Sequence, residues 1–186
     1  MNHTIAVDGV AFDGDIRHFS FPAYHQIRHM EELQKLASFP NLDSADFGGT
    51  NLDDLGLEYV TRAAELQELN LQNTAISNGS LALLARLPYL YSLRLKDNPQ
   101  LTNACVPHLL GLPELAELQI HETAIDQQGL EALAGMAQLR EIIISVADDN
   151  YAFERLLALS EQMAHCIILA KGHGEFSSGD SRDSGP

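Results

Sequence analysis

The leucine spacing changes halfway through residues 66–90, which read LQELNLQNTAISNGSLALLARLPYL. In the first part, apolar side chains stand at offsets 0, 3 and 5 from Leu66. In the second part, Leu81, Leu84 and Leu87 are three residues apart. Side chains alternate along a strand, whereas they recur every three to four residues on one face of a helix. The segment therefore predicts a short strand followed by a helical return.

The same switch recurs along the chain at intervals of 24 to 26 residues. A fixed period of this length indicates a solenoid, whose coils must stack because no single coil can bury its own leucines. The triplets at offsets 0, 3 and 5 are Ile16/Phe19/Phe21, Leu42/Ala45/Phe47, Leu66/Leu69/Leu71, Leu90/Leu93/Leu95, Leu115/Leu118/Ile120, Leu139/Ile142/Ile144 and Met163/Cys166/Ile168.

The units at residues 66–90 and 115–139 resemble the L-x-x-L-x-L-x-x-N-x-L unit of the leucine-rich repeat family, in its bacterial-type form of about 24 residues. Thr50, Thr74 and Thr123 stand at the Asn position of that unit, and Asn98 keeps the family residue. The resemblance implies an α/β leucine-rich repeat solenoid shaped as a horseshoe, with a parallel sheet on its concave face and helices on its convex face. Family members mostly bind other macromolecules, so the resemblance also implies a binding scaffold.

The residues of each unit predict the position of its core without the resemblance. Offsets 3 and 5 lie on the same side of a strand, which we expect to face the core. At offset 8, a Thr hydroxyl or the Asn amide can bond turn backbone groups that would otherwise be buried without partners. The inward stripes of the helical halves are Leu81/Leu84/Leu87, Val106/Leu109/Leu112 and Leu130/Leu133/Met136. Further helices are expected at Ile27–Leu36 and Phe153–Leu159, and the last strand at Met163–Ala170.

The two ends of the chain depart from the repeat. Two short apolar stretches flank Asp8-Gly9, which is a strong signal for a tight hairpin that would cover the first unit. The last residues are polar and rich in Gly and Ser. We expect a capping hairpin at residues 1–15, the repeat domain at 16–170 and a flexible tail at 171–186.

Side chains at offsets 2, 4 and 6 of each strand point away from the core, and we call the surface that they form the open face. Most of these residues are polar, as a sheet face in contact with water requires. Tyr and Arg are residue types that often anchor interfaces. We expect a protein partner to bind Asp46, Glu68, Asn70, Gln72, Tyr91, Arg94, Lys96, Glu117, Gln119, His121, Glu141 and Ile143.

The open face turns apolar toward its C-terminal end, at Ile143, Ile167 and Leu169. Such a patch can be a contact surface for a partner or for a second copy of the chain. It can also be covered by the tail or by the loop at residues 146–151, and coverage is the preferred interpretation. The pattern sets no oligomeric state.

The net charge of −15 is large for 186 residues. An acidic surface repels nucleic acid and anionic lipid, because phosphate contacts need Lys and Arg, and it attracts basic protein partners. Two cysteines are too few for a disulfide framework, and no apolar run is long enough for a membrane span. The first residues lack the pattern of a secretory signal, so we expect a cytoplasmic protein that binds neither nucleic acid nor membrane.

Residues that carry chemistry are scattered rather than clustered. His18, His121 and His165 fall on distant units, and they do not form a metal-ligand spacing. Asp148-Asp149 is expected to be a solvated turn, and Cys166 an inert core residue. Cys105 stands at the start of a helix, a position that favours a thiolate, but the sequence offers it no evident histidine partner. We therefore predict no catalytic residues, no cofactor, no metal and no enzymatic activity.

Three functions remain open at this point. The preferred one is a non-enzymatic protein-binding module, with an acidic immunity protein or inhibitor of a basic toxin as its sharper form. The alternative is a bacterial effector or an adaptor of a ubiquitin ligase, since repeats of the resembled family also serve there. A hydrolase or metalloenzyme built on the open face is the least favoured.

Overall fold

The computed structural model describes residues 3–146 and 150–182, which form an α/β solenoid. The strands of these residues are β1 (Thr4–Val7), β2 (Val10–Asp13), β3 (His18–Ser20), β4 (Ser44–Asp46), β5 (Glu68–Asn70), β6 (Ser92–Arg94), β7 (Glu117–Gln119), β8 (Glu141–Ser145), β9 (Ile167–Lys171), β10 (Gly174–Ser177) and β11 (Asp180–Arg182). The main sheet has nine of them in the order β11-β10-β9-β8-β7-β6-β5-β4-β3, and β1 and β2 form a separate hairpin.

The strands from β3 to β9 are parallel, and equivalent positions of successive units lie side by side. Leu69, for example, pairs with Leu93, and Leu93 pairs with Leu118. These offset-3 side chains are buried, and so are the offset-5 side chains, which lie two residues further along the chain. The predicted repeat is confirmed from Ile16 to Ile144, while the horseshoe curvature stays a prediction.

The offset-8 residues bond the turns as predicted. The hydroxyls of Thr50, Thr74 and Thr123 donate to the carbonyls of Phe47, Leu71 and Ile120 at 2.7, 2.9 and 2.6 Å. The fully buried Asn98 does more, since its Nδ2 donates to the Leu71 and Leu95 carbonyls while its Oδ1 accepts from the backbone N of Thr74. These bonds satisfy turn backbone groups that the solenoid hides from water.

The residue immediately before each offset-8 residue adopts a left-handed backbone conformation. Gly49, Asn73, Asp97 and Glu122 have φ angles of 72, 48, 57 and 59°. Gly, Asn and Asp tolerate this region, whereas a longer side chain such as Glu does so at a cost. The repeat therefore imposes its turn on Glu122, which has the least suitable side chain of the four.

Short helical segments return the chain between strands. The α-helices are α1 (Asp54–Val60), α2 (Val106–Leu110), α3 (Gln127–Ala132) and α4 (Phe153–Gln162). The 3₁₀ segments are Met30–Ser38, Gly79–Arg86, Asn103–Cys105 and Leu133–Gly135. All the predicted inward stripes are buried, but the helix expected at Ile27–Leu36 begins later, at Met30, and is a 3₁₀ helix.

The N-terminal hairpin forms as predicted, with Asp8 and Gly9 as a two-residue turn at φ angles of 46 and 77°. The ring of Phe12 packs 4.6 Å from the ring of Phe19, which belongs to the first repeat. The buried Asp8 carboxylate accepts from the rings of His25 and His29 at 2.7 and 3.0 Å. The turn of the hairpin is thereby tied to the loop that follows β3.

The last parallel strand corrects one prediction. Leucine spacing predicts Cys166 and Ile168 at offsets 3 and 5, but Ile142 pairs with Ile168 and Ile144 with Ala170. The strand is thus shifted by two residues, because the chain takes 12 residues from Glu141 to the start of α4 at Phe153, against 10 from Glu117 to the start of α3 at Gln127. A shift by two keeps each side chain on its predicted side, so Ile167 and Leu169 still belong to the open face, while His165 does not.

The segment expected to be a flexible tail forms two further strands in its described part. β10 pairs antiparallel with β9, and β11 pairs antiparallel with β10. Phe176 is fully buried and its ring lies 5.2 Å from that of Phe153. Ser178 and Gly179 have φ angles of 51 and 81°, which suits a tight hairpin turn. One buried aromatic ring and one tight turn thus order a stretch of mostly polar sequence.

Candidate functional site

The in-register strands arrange the open face in three rows that run across the sheet. The first row is His18, Ser44, Glu68, Ser92, Glu117, Glu141 and Ile167. The second row is Ser20, Asp46, Asn70, Arg94, Gln119, Ile143 and Leu169. The third row is Gln72, Lys96, His121, Ser145 and Lys171. The structure therefore brings all the predicted partner-binding residues to one side of the sheet except Tyr91, which lies beside the first row.

The first row is acidic. Glu117 and Glu141 are register partners on neighbouring strands, and Glu68 lies two strands away from Glu117. Among the described residues, none of the three carboxylates makes an ion pair. The Tyr91 hydroxyl donates to Glu117 Oε1 at 3.2 Å, and the charge of Glu117 raises the pKa of Tyr91. The row thus presents negative charge that the fold does not neutralise.

A depression of about 120 Å³ marks the N-terminal half of the face. In its wall, His18 Nδ1 lies 3.0 Å from Ser44 Oγ, and that hydroxyl lies 3.4 Å from Glu68 Oε2. In a serine hydrolase the imidazole stands between the carboxylate and the hydroxyl, so that it can take the hydroxyl proton. Here the hydroxyl stands between the other two groups. The order is wrong for an activated nucleophile, and the cluster supports no hydrolase.

Two side chains of the second row, Asp46 and Asn70, form hydrogen bonds within the fold. Asp46 Oδ1 accepts from Asn70 Nδ2 at 2.9 Å and from the backbone N of Gly48 at 2.7 Å. Asn70 Oδ1 in turn accepts from the backbone N of Gln72. Arg94 is exposed and makes no ion pair within the part of the chain that the structure describes. Of the row, Arg94 is the side chain most available to a partner.

His121 corrects a prediction in the third row. The pattern predicts that it is open to a partner, but it is 2% exposed, and neither ring nitrogen has a hydrogen-bond partner among residues 3–146 and 150–182. Burial lowers the pKa of His121 to about 4, and the positive charges of Lys171 and Lys96 act in the same direction. Lys96 itself lies 3.3 Å from Asp97 Oδ2, which also accepts from Gln72 Nε2 at 3.1 Å. The imidazole is therefore neutral, and it carries an unsatisfied donor and acceptor.

The apolar end of the face is only partly covered. Ile143 and Leu169 are half-buried, and Ile167 is exposed. The preferred expectation of coverage by the tail is met in part, since β10 lies beside Leu169 rather than over it. The loop that was the other candidate cover includes residues 147–149, which lie outside the described residues, and the Asp148-Asp149 pair lies there too.

Sequence reasoning missed an extension of the face. Leu169 pairs with Glu175, and Glu175 pairs with Arg182, so the second row continues across β10 and β11. These residues were assigned to a flexible tail. The signals in the sequence that could have identified the strands are the Ser178-Gly179 pair, which suits a tight turn, and the single aromatic residue Phe176 among polar neighbours.

Groups that could support other chemistry are buried or dispersed. Cys105 and Cys166 are free and buried. Burial raises the pKa of the Cys105 thiol to about 11 and that of Cys166 to about 12, so the thiolate considered at Cys105 is disfavoured. Within residues 3–146 and 150–182, no three His, Cys, Asp or Glu side chains are placed to hold a metal ion. None of the described helices combines the length and apolarity needed to cross a membrane.

Comparisons with known proteins give weak likenesses. No protein-family model and no curated protein matches the sequence. An internalin from Listeria monocytogenes aligns at a TM-score of 0.48 and 16% identity, over 76% of this chain and 48% of the internalin chain. The plant peptide hormone receptor RGFR1, solved with RGF2, aligns at 0.44 and 15% identity, over 77% and 29%. TLR13, solved with ssRNA13, aligns at 0.43 and 18% identity, over 68% and 22%.

This chain thus spans about half or less of the length of each of these structures. Because all three TM-scores lie below 0.5, the strand register is the evidence for the fold. Equivalent positions pair at intervals of 24 to 26 residues from His18 to Ile167, and Thr or Asn bonds the turns between β4 and β8. The architecture is that of a leucine-rich repeat solenoid.

Proposed function

We propose that this chain is a non-enzymatic module that binds another protein through its open face. The observation that carries the proposal is the first row, where Glu68, Glu117 and Glu141 form no ion pair with any described residue. Like charges on neighbouring strands cost stability. A row that keeps them supports a surface shaped for an external cation rather than for the fold alone.

The dimensions of the face suit a protein partner. The strands from β3 to β9 at about 4.8 Å spacing extend over roughly 30 Å, which can support one side of an interface of about 800 Å². Tyr91 and Arg94 are exposed beside the acidic row, and both are residue types that anchor interfaces. The face offers aromatic, cationic and anionic contacts together, which a protein surface can match.

The charge of the chain favours a basic partner. The net charge of −15 accelerates encounter with a positively charged protein, and the first row would orient it. An acidic inhibitor or immunity protein that neutralises a basic toxin in the cytoplasm is the sharper form of this proposal. It is supported by the acidity of the chain and by two cysteines that are free and buried.

Affinity capture with a charge-reversed control tests the proposal. The site variant is Glu68→Lys/Glu117→Lys, and the matched control is Glu65→Lys/Glu114→Lys. Glu65 and Glu114 are exposed residues that stand just before offset 0 of the same two repeats, outside the open face. We expect the wild type and the control to capture the same protein, and the site variant to lose it. Equal capture by all three would refute binding through the open face.

A growth assay tests the sharper form. A toxin-like partner, once captured, is expressed alone and with each variant. We expect the wild type and the Glu65→Lys/Glu114→Lys control to restore growth, and the Glu68→Lys/Glu117→Lys variant to fail. A captured partner that does not inhibit growth would contradict the immunity role, but it would not contradict protein binding through the open face.

A further inference from the structure

A second depression, of about 400 Å³, lies at the C-terminal end of the open face. Four of its lining side chains form a row across β8, β9, β10 and β11, since Ile143 pairs with Leu169, Leu169 with Glu175 and Glu175 with Arg182. Lys171 lines the same depression two residues beyond Leu169. The depression therefore has apolar residues on one side and charged residues around them.

Two of the three charged side chains that line this depression are positive, Lys171 and Arg182. In the described ranges, neither Lys171 nor Arg182 forms an ion pair, although Arg182 is the register partner of Glu175. Glu175 Oε1 instead lies 3.4 Å from the Ser177 hydroxyl. In a chain of net charge −15, two unpaired cations beside half-buried aliphatic side chains are a local reversal of the surface charge.

An independent observation lies next to Lys171. Ser145, the register partner of Lys171, separates it from His121, whose two ring nitrogens are buried without a hydrogen-bond partner in the described part of the chain. A buried polar group without a partner is destabilising and requires an explanation, of which a ligand bound nearby is one. The charge of Lys171 reaches this imidazole, because it contributes to the lowered pKa of His121.

We propose that this depression binds the C-terminal residue of a partner protein, with an aliphatic side chain against Ile143 and Leu169 and its α-carboxylate on Lys171 and Arg182. A C-terminal residue offers both groups from a single Cα. In an extended internal segment, neighbouring side chains point to opposite sides, so an apolar residue and an adjacent acidic one could not both enter. The proposal rests on the proposed function, and it specifies the partner at one end of the face.

The test uses short synthetic peptides and the full chain, with binding followed by NMR. The probe is Ac-Gly-Gly-Leu with a free carboxylate, and the three comparison peptides are its C-terminal amide, Ac-Gly-Gly-Ser with a free carboxylate, and Ac-Gly-Leu-Asp amide. We expect only the probe to shift the methyl signals of Ile143 and Leu169 and the ring signals of His121 in a saturable way. Equal shifts from the amide, the Ser peptide or the Asp peptide would overturn the proposal, as would no shift at all.

Charge-removing variants sharpen this test. Lys171→Gln and Arg182→Gln should each weaken binding of the probe by about 1.5- to fivefold, the range for one exposed charge contact. Glu175→Gln should tighten binding of the probe, because it removes a carboxylate that lines the depression. Arg28→Gln, which loses the same charge at an exposed position near the N-terminal hairpin, should change nothing. Unaltered affinity in both cation variants would exclude the assigned carboxylate contacts.

The two proposals fail separately. The peptide experiment needs no captured partner, so peptide binding can succeed where capture through Glu68 and Glu117 fails. Conversely, capture that depends on the acidic row would stand even if the probe left Ile143 and Leu169 unchanged.

Discussion

Glu117 and Glu141 are register partners in β7 and β8, so two carboxylates stand on neighbouring strands and point to the same side of the sheet. Glu117 accepts from the Tyr91 hydroxyl. Neither carboxylate is in an ion pair with another described residue. Like charges on neighbouring strands cost stability. This cost supports our proposal that the two carboxylates belong to a binding surface.

Glu141→Gln should therefore stabilise the protein. Removing one of two like charges on adjacent strands is expected to raise the free energy of unfolding by about 0.2–1 kcal/mol at low salt. Salt screens exposed charges, so the gain should shrink in 1 M NaCl. Urea unfolding at both salt concentrations measures it, with Glu65→Gln as the exposed control. A clear loss of stability in Glu141→Gln would mean that the Glu141 carboxylate stabilises the fold, which would contradict the repulsion between the pair.

Asn98→Ala should be the most damaging change in the turns. It leaves the buried carbonyl of Leu95 and the backbone N of Thr74 without their side-chain partner, while the Leu71 carbonyl keeps the Thr74 hydroxyl. We expect a loss of about 3 kcal/mol or more, since each unsatisfied buried group costs about 1–3 kcal/mol. Thr74→Ala, which removes one hydroxyl donor, should cost about 1 kcal/mol. Equal losses in the two variants, measured by urea unfolding, would contradict the structural role of Asn98.

Asp8→Asn tests how the hairpin is attached. Burial alone would raise the pKa of Asp8, but hydrogen bonds from the backbone of Arg28 and from His25 and His29 outweigh it and lower the pKa below 3.8. The stability that the ionised carboxylate supplies is thus present above pH 3.8 and is lost as the pH falls through the lower folded-state pKa. At pH 7 the variant should lose about 1–3 kcal/mol.

Unfolding at pH 7 and at pH 3 distinguishes the wild type from Asp8→Asn, and the difference between them should narrow at the lower pH. We propose that the hairpin caps the first repeat, so the variant should also lose the contact between the rings of Phe12 and Phe19, visible in NMR spectra. A variant that is as stable as the wild type at pH 7 would mean that apolar packing alone holds the hairpin.

His121→Leu should stabilise the protein and flatten its response to acid. The folded state keeps His121 neutral down to about pH 4, whereas the unfolded chain binds a proton near pH 6.5. The wild type therefore loses stability as the pH falls from 6.5 to 4, by up to about 3 kcal/mol. Removing the unpartnered ring should add about 1–3 kcal/mol at pH 7. A His173→Gln control, in an exposed loop, should retain the slope, and an unchanged slope in His121→Leu would disprove this assignment.

The repeat itself was readable from the sequence because its signals are local and repeated. Leu66, Leu69 and Leu71 define one strand, and the same triplet confirms it in the neighbouring units. The shift of β9 was not readable, since Cys166, Ile168 and Ala170 are all small or apolar and alternate. A slip by two residues leaves the buried side unchanged, so apolar spacing cannot detect it.

The open face was predictable as a surface but not in its details. The alternation of side chains along each strand correctly assigned Glu117 and Arg94 to the open face. It could not show that His121 is buried, because burial on this side depends on neighbouring side chains rather than on strand period. Lys171 and Arg182 were missed because hydrophobic pattern is weak in residues 171–182, where Phe176 alone anchors two strands.

The rate of association between this protein and its captured partner, followed against ionic strength, tests the central claim most directly. The acidic row should steer a basic partner, so the wild-type rate should fall steeply as salt rises. We predict that Glu68→Lys/Glu117→Lys lowers the rate at low salt by roughly tenfold and flattens this dependence, whereas Glu65→Lys/Glu114→Lys keeps most of it. Identical salt profiles for the two double variants would contradict recognition through the open face.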